Sequence, residues 1–192
     1  MWEDWTYRHD SFEIAGKTVG ILGAGAIGRN VIRRVKAFDA KVIYYDVYRM
    51  SDEQEQQLGA SFVDFDTLIK TADIISIHMP LLPETRGMIG EKQFDAMKRN
   101  AVLINTARGP IVDQDALYNA LERHTIAGAA SDVYEKMPAA SDTPLFRLGS
   151  DVNFIAMPHI GAATYDTYDR VFRLCLENVR RLSCGEEALH LI

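Results

Sequence analysis

The stretch Thr18-Val19-Gly20-Ile21-Leu22-Gly23-Ala24-Gly25-Ala26-Ile27-Gly28 decides the fold. Thr18–Leu22 is a short apolar run, the pattern of a buried strand. A GxGxxG string, Gly23 to Gly28, follows without a gap. Beyond it, Ile27, Val31, Val35 and Phe38 recur at helical spacing on one face, with Arg29, Arg33, Arg34 and Lys36 mostly on the other. Lys41–Tyr45 reads as the next strand, and Asp46 closes it 18 residues after Gly28. A glycine-rich turn alone is common. Between a strand and an amphipathic helix, with an acid ending the second strand, it is the Rossmann fingerprint of a dinucleotide-binding βαβ unit.

The chemistry follows position by position. Gly23 permits the tight turn, Gly25 lets the backbone approach a pyrophosphate, and Gly28 lets helix and strand pack closely. Ala26 and Ile27 open the helix, whose N-terminus offers free N–H groups and the positive end of its dipole to phosphates. Asp46 suits the two hydroxyls of an adenosine ribose. It opposes a 2′-phosphate, since like charges roughly 4 Å apart repel by about 4 kcal/mol at an effective dielectric of ~20. The expected cofactor is therefore NAD rather than NADP. Arg49, three residues further on, could soften that preference, but is expected to be an exposed arginine with no ligand.

Outward from this unit, strand and helix keep alternating. Ser51 is placed to cap a short polar helix reaching Leu58, residues 61–63 to form a brief strand, and Phe65–Thr71 a helix. Residues 73–78, 101–105, 126–131 and 152–157 are further strands, separated by a proline-bounded loop over 80–90, helices over 91–98 and 113–123, and an irregular connection over 138–150. A long helix over 163–182 follows the last strand. Unbroken apolar strands separated by helices imply right-handed crossovers and a parallel sheet covered on both faces. The fold class is α/β, doubly wound. Residues 1–12, aromatic and charged without periodicity, read as a linker, 13–182 as the dinucleotide-binding domain and 183–192 as a C-terminal tail.

Composition narrows the function classes. At roughly 150 residues per domain, 192 residues with 47% hydrophobic content make one globular domain with a remainder. Lys+Arg is 21 and Asp+Glu 27, and the resulting net charge of -6 argues against a nucleic-acid partner. No run approaches the ~18 apolar residues of a membrane span. Met1-Trp2-Glu3-Asp4-Trp5 lacks the basic start and apolar core of a signal peptide. A cytoplasmic location is expected, with Cys175 and Cys184 as incidental thiols.

Further motifs stand at the carboxyl ends of the proposed strands, where doubly wound sheets bind ligands. His78-Met79-Pro80-Leu81-Leu82-Pro83-Glu84-Thr85-Arg86-Gly87 follows one strand and Thr106-Ala107-Arg108-Gly109-Pro110-Ile111-Val112-Asp113 the next. Asp132-Val133-Tyr134 and Pro158-His159-Ile160-Gly161-Ala162 follow the last two. With the glycine loop these make five ordered motifs, and from about Phe12 to Ile192 the chain resembles the D-isomer-specific 2-hydroxyacid dehydrogenases.

The resemblance implies an oxidoreductase that moves hydride between NAD(H) and a 2-hydroxy acid/2-oxo acid pair, and a homodimer. It implies that Arg108 binds the substrate carboxylate and polarises the 2-oxo group, for which a guanidinium offers paired donors to a planar carboxylate. It makes His159 the acid/base, a role that suits an imidazole titrating near neutral pH. It implies that Asp132 meets the nicotinamide amide, that Thr106, Ala107, Gly161 and Ala162 line the nicotinamide side through backbone, and that His78 and Pro80 flank the adenosine half. Arg108 and His159 then border the cofactor as well as the substrate.

Two departures from the family pattern stand out. The family carries a glutamate, just before the proline that follows the Asp-Val-aromatic motif, which pairs with the histidine. Here that segment reads Glu135-Lys136-Met137-Pro138, so Met137 holds the place. A thioether neither accepts the imidazole proton nor stabilises its charge; Glu135 lies two residues early and is not the matching position. The family also builds each subunit from two domains. The expectation here is a cofactor domain without the N-terminal substrate domain, with a tail resembling the segment that returns to it. Val171, Phe172, Leu174, Leu176, Val179 and Leu182 exceed one buried stripe on the long helix and are expected to face that domain or a second subunit. The alternative is a catalytically weakened, NAD(H)-responsive interaction module of the corepressor kind, favoured by Met137 and opposed by Arg108 and His159.

Overall fold

The computed structural model describes residues 11–139 and 141–190, so most of the expected linker and the last two residues of the tail lie outside the described residues. The chain divides into two compact units, one reaching to Pro158 and one starting at His159. Among the described residues the first unit holds seven strands: β1 Thr18–Leu22, β2 Lys41–Tyr45, β3 Ala60–Phe62, β4 Ile74–Ile77, β5 Val102–Asn105, β6 Gly128–Ser131 and β7 Phe154–Ala156. Their order is β3-β2-β1-β4-β5-β6-β7, and every pairing is parallel. Helices α1 Ala26–Lys36, α2 Asp52–Leu58, α3 Phe65–Thr71, α4 Glu91–Ala96 and α5 Gln114–Glu122 lie between the strands. The chain runs outward from β1 to β3 and then returns to place β4 on the other side of β1. That reversal creates a crevice beyond the carboxyl ends of β1 and β4, the ligand site of such sheets. The expected doubly wound α/β fold is the fold observed.

Short-range chemistry sets most element ends. Ser51 caps α2 reciprocally: its hydroxyl accepts from the Gln54 N–H, and the Gln54 side chain accepts from the Ser51 N–H. Asp64 caps α3 and Asp113 caps α5. The Thr67 hydroxyl and amide hold the Asp64 carboxyl below the usual carboxylate range. Along β1, Val19 and Ile21 join a cluster with Ile32, Val42 and Tyr44, while Leu22 joins another with Ile75, Ile77, Phe94 and Leu103. The strand is thus buried on both faces, as its unbroken apolar run requires.

The structure corrects the predicted face of α1. Gly28 and Ile32 are buried, with Val31 and Val35 packed beside them. Ile27 is 67% exposed, and Phe38, at 59%, lies past the last helical residue. The packed face runs 28-31-32-35, because the closest approach to the sheet is made by a glycine rather than by an apolar side chain.

The second unit, taken by itself, is α6 Tyr165–Ser183 with the turns that flank it. The Thr164 hydroxyl accepts from the Thr167 N–H at 3.2 Å and caps the helix. Near the other end, Glu177 pairs with Arg180 at 2.9 Å and Arg181 at 3.1 Å, and Arg180 above all pushes its carboxyl down to about 2. Val171, Phe172, Leu176, Val179 and Leu182 are exposed. Among the described residues no helix is long and apolar enough to cross a membrane.

Candidate functional site

The glycine loop is closed by backbone on two sides. Gly23 has φ +95°, and a Cβ on it would lie 2.8 Å from the His78 carbonyl carbon. A Cβ on Gly28 would overlap the Gly23 carbonyl oxygen. Gly25 differs, since a Cβ there would meet nothing within 4 Å. Open space therefore lies beside the residue that the motif reserves for a phosphate. No side chain caps α1, and its first turn carries no acid. Uncapped amides, a dipole end and this space fit the pyrophosphate of a dinucleotide.

Asp46, at the end of β2, reaches this loop. Its Oδ2 accepts from the Ala24 N–H at 2.7 Å and its Oδ1 from the Tyr48 N–H at 3.2 Å. From α1, the Arg29 Nε donates to the Ala24 carbonyl at 2.8 Å and braces the turn. Sequence reasoning had no helical spacing to flag this contact, because Ala24 lies outside α1. Arg49 is exposed as expected but is tied back to α2, at 2.9 Å from Glu55 and 3.2 Å from Asp52.

His78 extends β4. Its N–H donates to the Leu22 carbonyl at 2.7 Å, and its Nε2 lies 2.9 Å from the Ser76 hydroxyl. Burial pushes the imidazole pKa down. As pH falls, the unfolded chain therefore takes up this proton first, near the ordinary imidazole value of about 6.5. Stability is complete above that value and is lost as pH drops below it. Thermal melts between about pH 7.5 and 5.5 should show a decline that is shallower in His78→Gln; equal slopes in the two proteins would remove His78 from the account.

Arg108 is presented by a rigid turn. Asn105 is buried, and its side chain brackets the loop, accepting from the Ala107 N–H and donating to the Arg108 carbonyl, both at 3.0 Å. Gly109 backs onto Tyr134 so closely that a Cβ would overlap its backbone. Thr106 and Arg108 are exposed and Ala107 is half-buried. The Arg108 Nη1 donates to the Ala107 carbonyl at 2.7 Å, and among the described residues no ion pair includes this guanidinium.

The neighbouring loops are joined to this turn. Pro80 begins the 80–90 loop, its carbonyl accepting from the Thr85 hydroxyl at 2.8 Å. Further along, the Gly87 N–H donates to the Pro110 carbonyl at 2.8 Å, and Ile89 pairs with Val112. Arg86 reaches Glu135 at 3.1 Å. Glu135 is thus engaged by Arg86. Met137 instead lines an apolar cleft of about 340 Å³ with Tyr134, Pro138, Phe146 and Met157. Buried Asp132 continues the ladder past β6, its N–H donating to the Asn105 carbonyl at 3.0 Å.

The first unit therefore gathers Gly23, Gly25, Ala26, Ile27, Gly28, Asp46, His78, Pro80, Thr106, Ala107, Arg108 and Asp132 along the carboxyl edge of one sheet. A separate cavity of about 820 Å³ at the amino edge, between Phe12, Lys17, Asp73 and Asn153, is lined by none of them. His159, Gly161 and Ala162 open the second unit, where His159 adopts a left-handed φ of 59°. Asp39, His124 and His190 share this region, which Asp and His enter more readily than most side-chain-bearing residues.

A family model described as D-isomer specific 2-hydroxyacid dehydrogenase, NAD binding domain, matches residues 2–161. A glyoxylate reductase of Thermococcus litoralis is 44% identical over 181 residues, 94% of this chain and 53% of that protein. A D-3-phosphoglycerate dehydrogenase of Archaeoglobus fulgidus is 41% identical over 173 residues, 90% of this chain and 32% of that protein. Among solved structures, D-lactate dehydrogenase with NAD+ from Lactobacillus jensenii superposes with a TM-score of 0.86 at 39% identity, covering 95% of this chain and 57% of that one. The chain spans about half the length of the glyoxylate reductase and about a third of the phosphoglycerate dehydrogenase.

Proposed function

Because the chain belongs to the D-isomer specific 2-hydroxyacid dehydrogenase family and matches its NAD-binding domain, we propose that it holds NAD(H) for hydride transfer between a 2-hydroxy acid and its 2-oxo acid. The bound nicotinamide supplies a hydride in reduction and accepts one in oxidation. The amides opening α1 take the pyrophosphate, Asp46 the adenosine ribose hydroxyls, and His78 and Pro80 flank the adenosine half. Thr106, Ala107, Gly161 and Ala162 line the nicotinamide side, and Asp132 receives its amide. Arg108 grips the substrate carboxylate and draws electron density from the 2-oxo group. His159 donates its proton to the substrate oxygen in reduction and accepts the hydroxyl proton in oxidation. We assign cofactor binding to residues 13–182.

One observation carries the reading: an uncapped, acid-free helix N-terminus shares a sheet edge with an arginine that, among the described residues, no ion pair occupies. Backbone donors, rather than the net charge of -6, would hold the anionic cofactor. The same reading includes a homodimer, for which the exposed apolar residues of α6 offer a face, and no nucleic-acid partner, in keeping with the acidic composition; it also takes in a cytoplasmic location and no membrane partner. Titration of the chain with NADH, followed by cofactor fluorescence, should saturate. No binding at about 1 mM NADH would overturn the proposal.

Met137 favours a second reading, in which His159 lacks a carboxylate partner, turnover is weak and NAD(H) controls association with another protein. Measurable turnover, together with partner association indifferent to NADH, excludes that reading.

A further inference from the structure

The turn after β2 carries a lone cation beside the ribose-binding acid. Between Asp46 and Ser51 the residues are Val47, Tyr48, Arg49 and Met50. A free arginine here would counter Asp46, because a guanidinium is well suited to pair with a phosphate on the 2′ position of the adenosine ribose. In the structure Arg49 is not free. Its Nε donates to Glu55 Oε1 at 2.9 Å and its Nη2 to Glu55 Oε2 at 3.1 Å, so one edge of the guanidinium is taken in bidentate fashion. Asp52 adds a contact to the same Nη2 at 3.2 Å, and the guanidinium carbon lies 5.7 Å from the centre of the Phe62 ring.

Glu55 is itself anchored. Its Oε1 accepts from the Tyr44 hydroxyl at 2.7 Å, and that hydroxyl accepts from the Met50 N–H at 2.9 Å. Tyr44 is fully buried, and burial first, then Glu55, pushes its hydroxyl up to about 12. The hydroxyl therefore stays protonated and keeps donating. Arg49, followed by Tyr44, holds the Glu55 carboxyl below the usual carboxylate range, so it remains charged at neutral pH. The carboxylate side chain is only 14% exposed, against 54% for Arg49. The rigid partner in the pair is the acid.

We infer that Glu55 is a specificity-determining residue: it holds Arg49 away from the adenosine ribose and so keeps the site selective for NAD over its 2′-phosphorylated form. Asp46 supplies the direct repulsion, and Glu55 withholds the cation that would cancel it. Asp46, Asp52 and Glu55 together set three carboxylates against one guanidinium around this turn. The inference rests on the NAD-binding reading above and adds a residue that never touches the cofactor.

The test is a cycle of NADH and NADPH titrations on the full chain carrying Glu55→Gln, Glu55→Ala, Arg49→Ala or the Glu55→Ala/Arg49→Ala pair. Gln retains an acceptor for Tyr44, whereas Ala removes the anchor altogether, and thermal melts confirm folding of each. NADPH affinity should rise about tenfold in Glu55→Ala, and less in Glu55→Gln, with NADH affinity changed by no more than about twofold. The gain should vanish in the double variant, and Arg49→Ala alone should change neither affinity. Folded Glu55 variants with NADPH affinity unchanged, or a gain that survives loss of Arg49, would overturn the inference while leaving NAD binding intact. A wild-type chain that binds neither cofactor would instead overturn the NAD reading and this inference with it.

Discussion

Gly28→Val is expected to abolish NADH binding and to destabilise the chain by about 3 kcal/mol. For a chain of this size that lowers Tm by roughly 6–12 °C. The cause is local and steric: a Cβ on Gly28 would overlap the Gly23 carbonyl oxygen. Relief requires lifting α1 from β1, which unseats buried Ile32 and displaces the turn whose Ala24 N–H holds Asp46. Gly25→Ala is the informative companion. Its methyl meets nothing within 4 Å, so stability should stay within about 0.5 kcal/mol of the parent, yet the methyl enters the space assigned to the pyrophosphate. NADH affinity should fall at least about tenfold with the fold intact. Calorimetry and NADH titration of the two variants check both outcomes. A stable Gly28→Val chain, or Gly25→Ala binding as tightly as the parent, would contradict the assignment.

Arg108→Ala is expected to lower kcat/KM for a 2-oxo acid by about 10²–10³-fold in the polypeptide that carries this segment. A guanidinium bound to substrate by paired charged hydrogen bonds contributes to orientation and to stabilising charge on the oxygen as it forms. Arg108→Lys retains the charge but not the fork, and should recover only part of the loss. Because the turn is held by Asn105 and by the Gly109–Tyr134 contact, the alanine variant should melt with the parent. Steady-state rates with a panel of 2-oxo acids provide the measurement. Full activity in Arg108→Ala would refute the role.

What could be read from the sequence was what short-range chemistry decides. The span of β1, the Ser51 and Asp113 caps, the limits of α3 and the parallel run of the strands rest on local patterns or on crossover rules. Asp46 was legible because the acid at the end of the second strand is part of the fingerprint, and the structure joins it to Ala24 across 22 residues. Illegible features depend on which side chains meet in space. The periodicity of α1 pointed to Ile27 and Phe38, and tertiary packing selected Ile32 instead. Glu55 looked like one more acid on a polar helix, and only the position of buried Tyr44 beneath it makes it an anchor. Arg86 and Glu135 meet from 49 residues apart, with no motif linking them.

The stitching of the 80–90 loop to the turn bearing Arg108 has an evolutionary consequence. Gly87, Ile89 and Asp113 lock the two segments together through backbone bonds that no substitution except to proline removes. Residues along the first segment can drift in identity, but an insertion or deletion there shears the second. This frame therefore accommodates changes of side chain more readily than changes in the length of either loop.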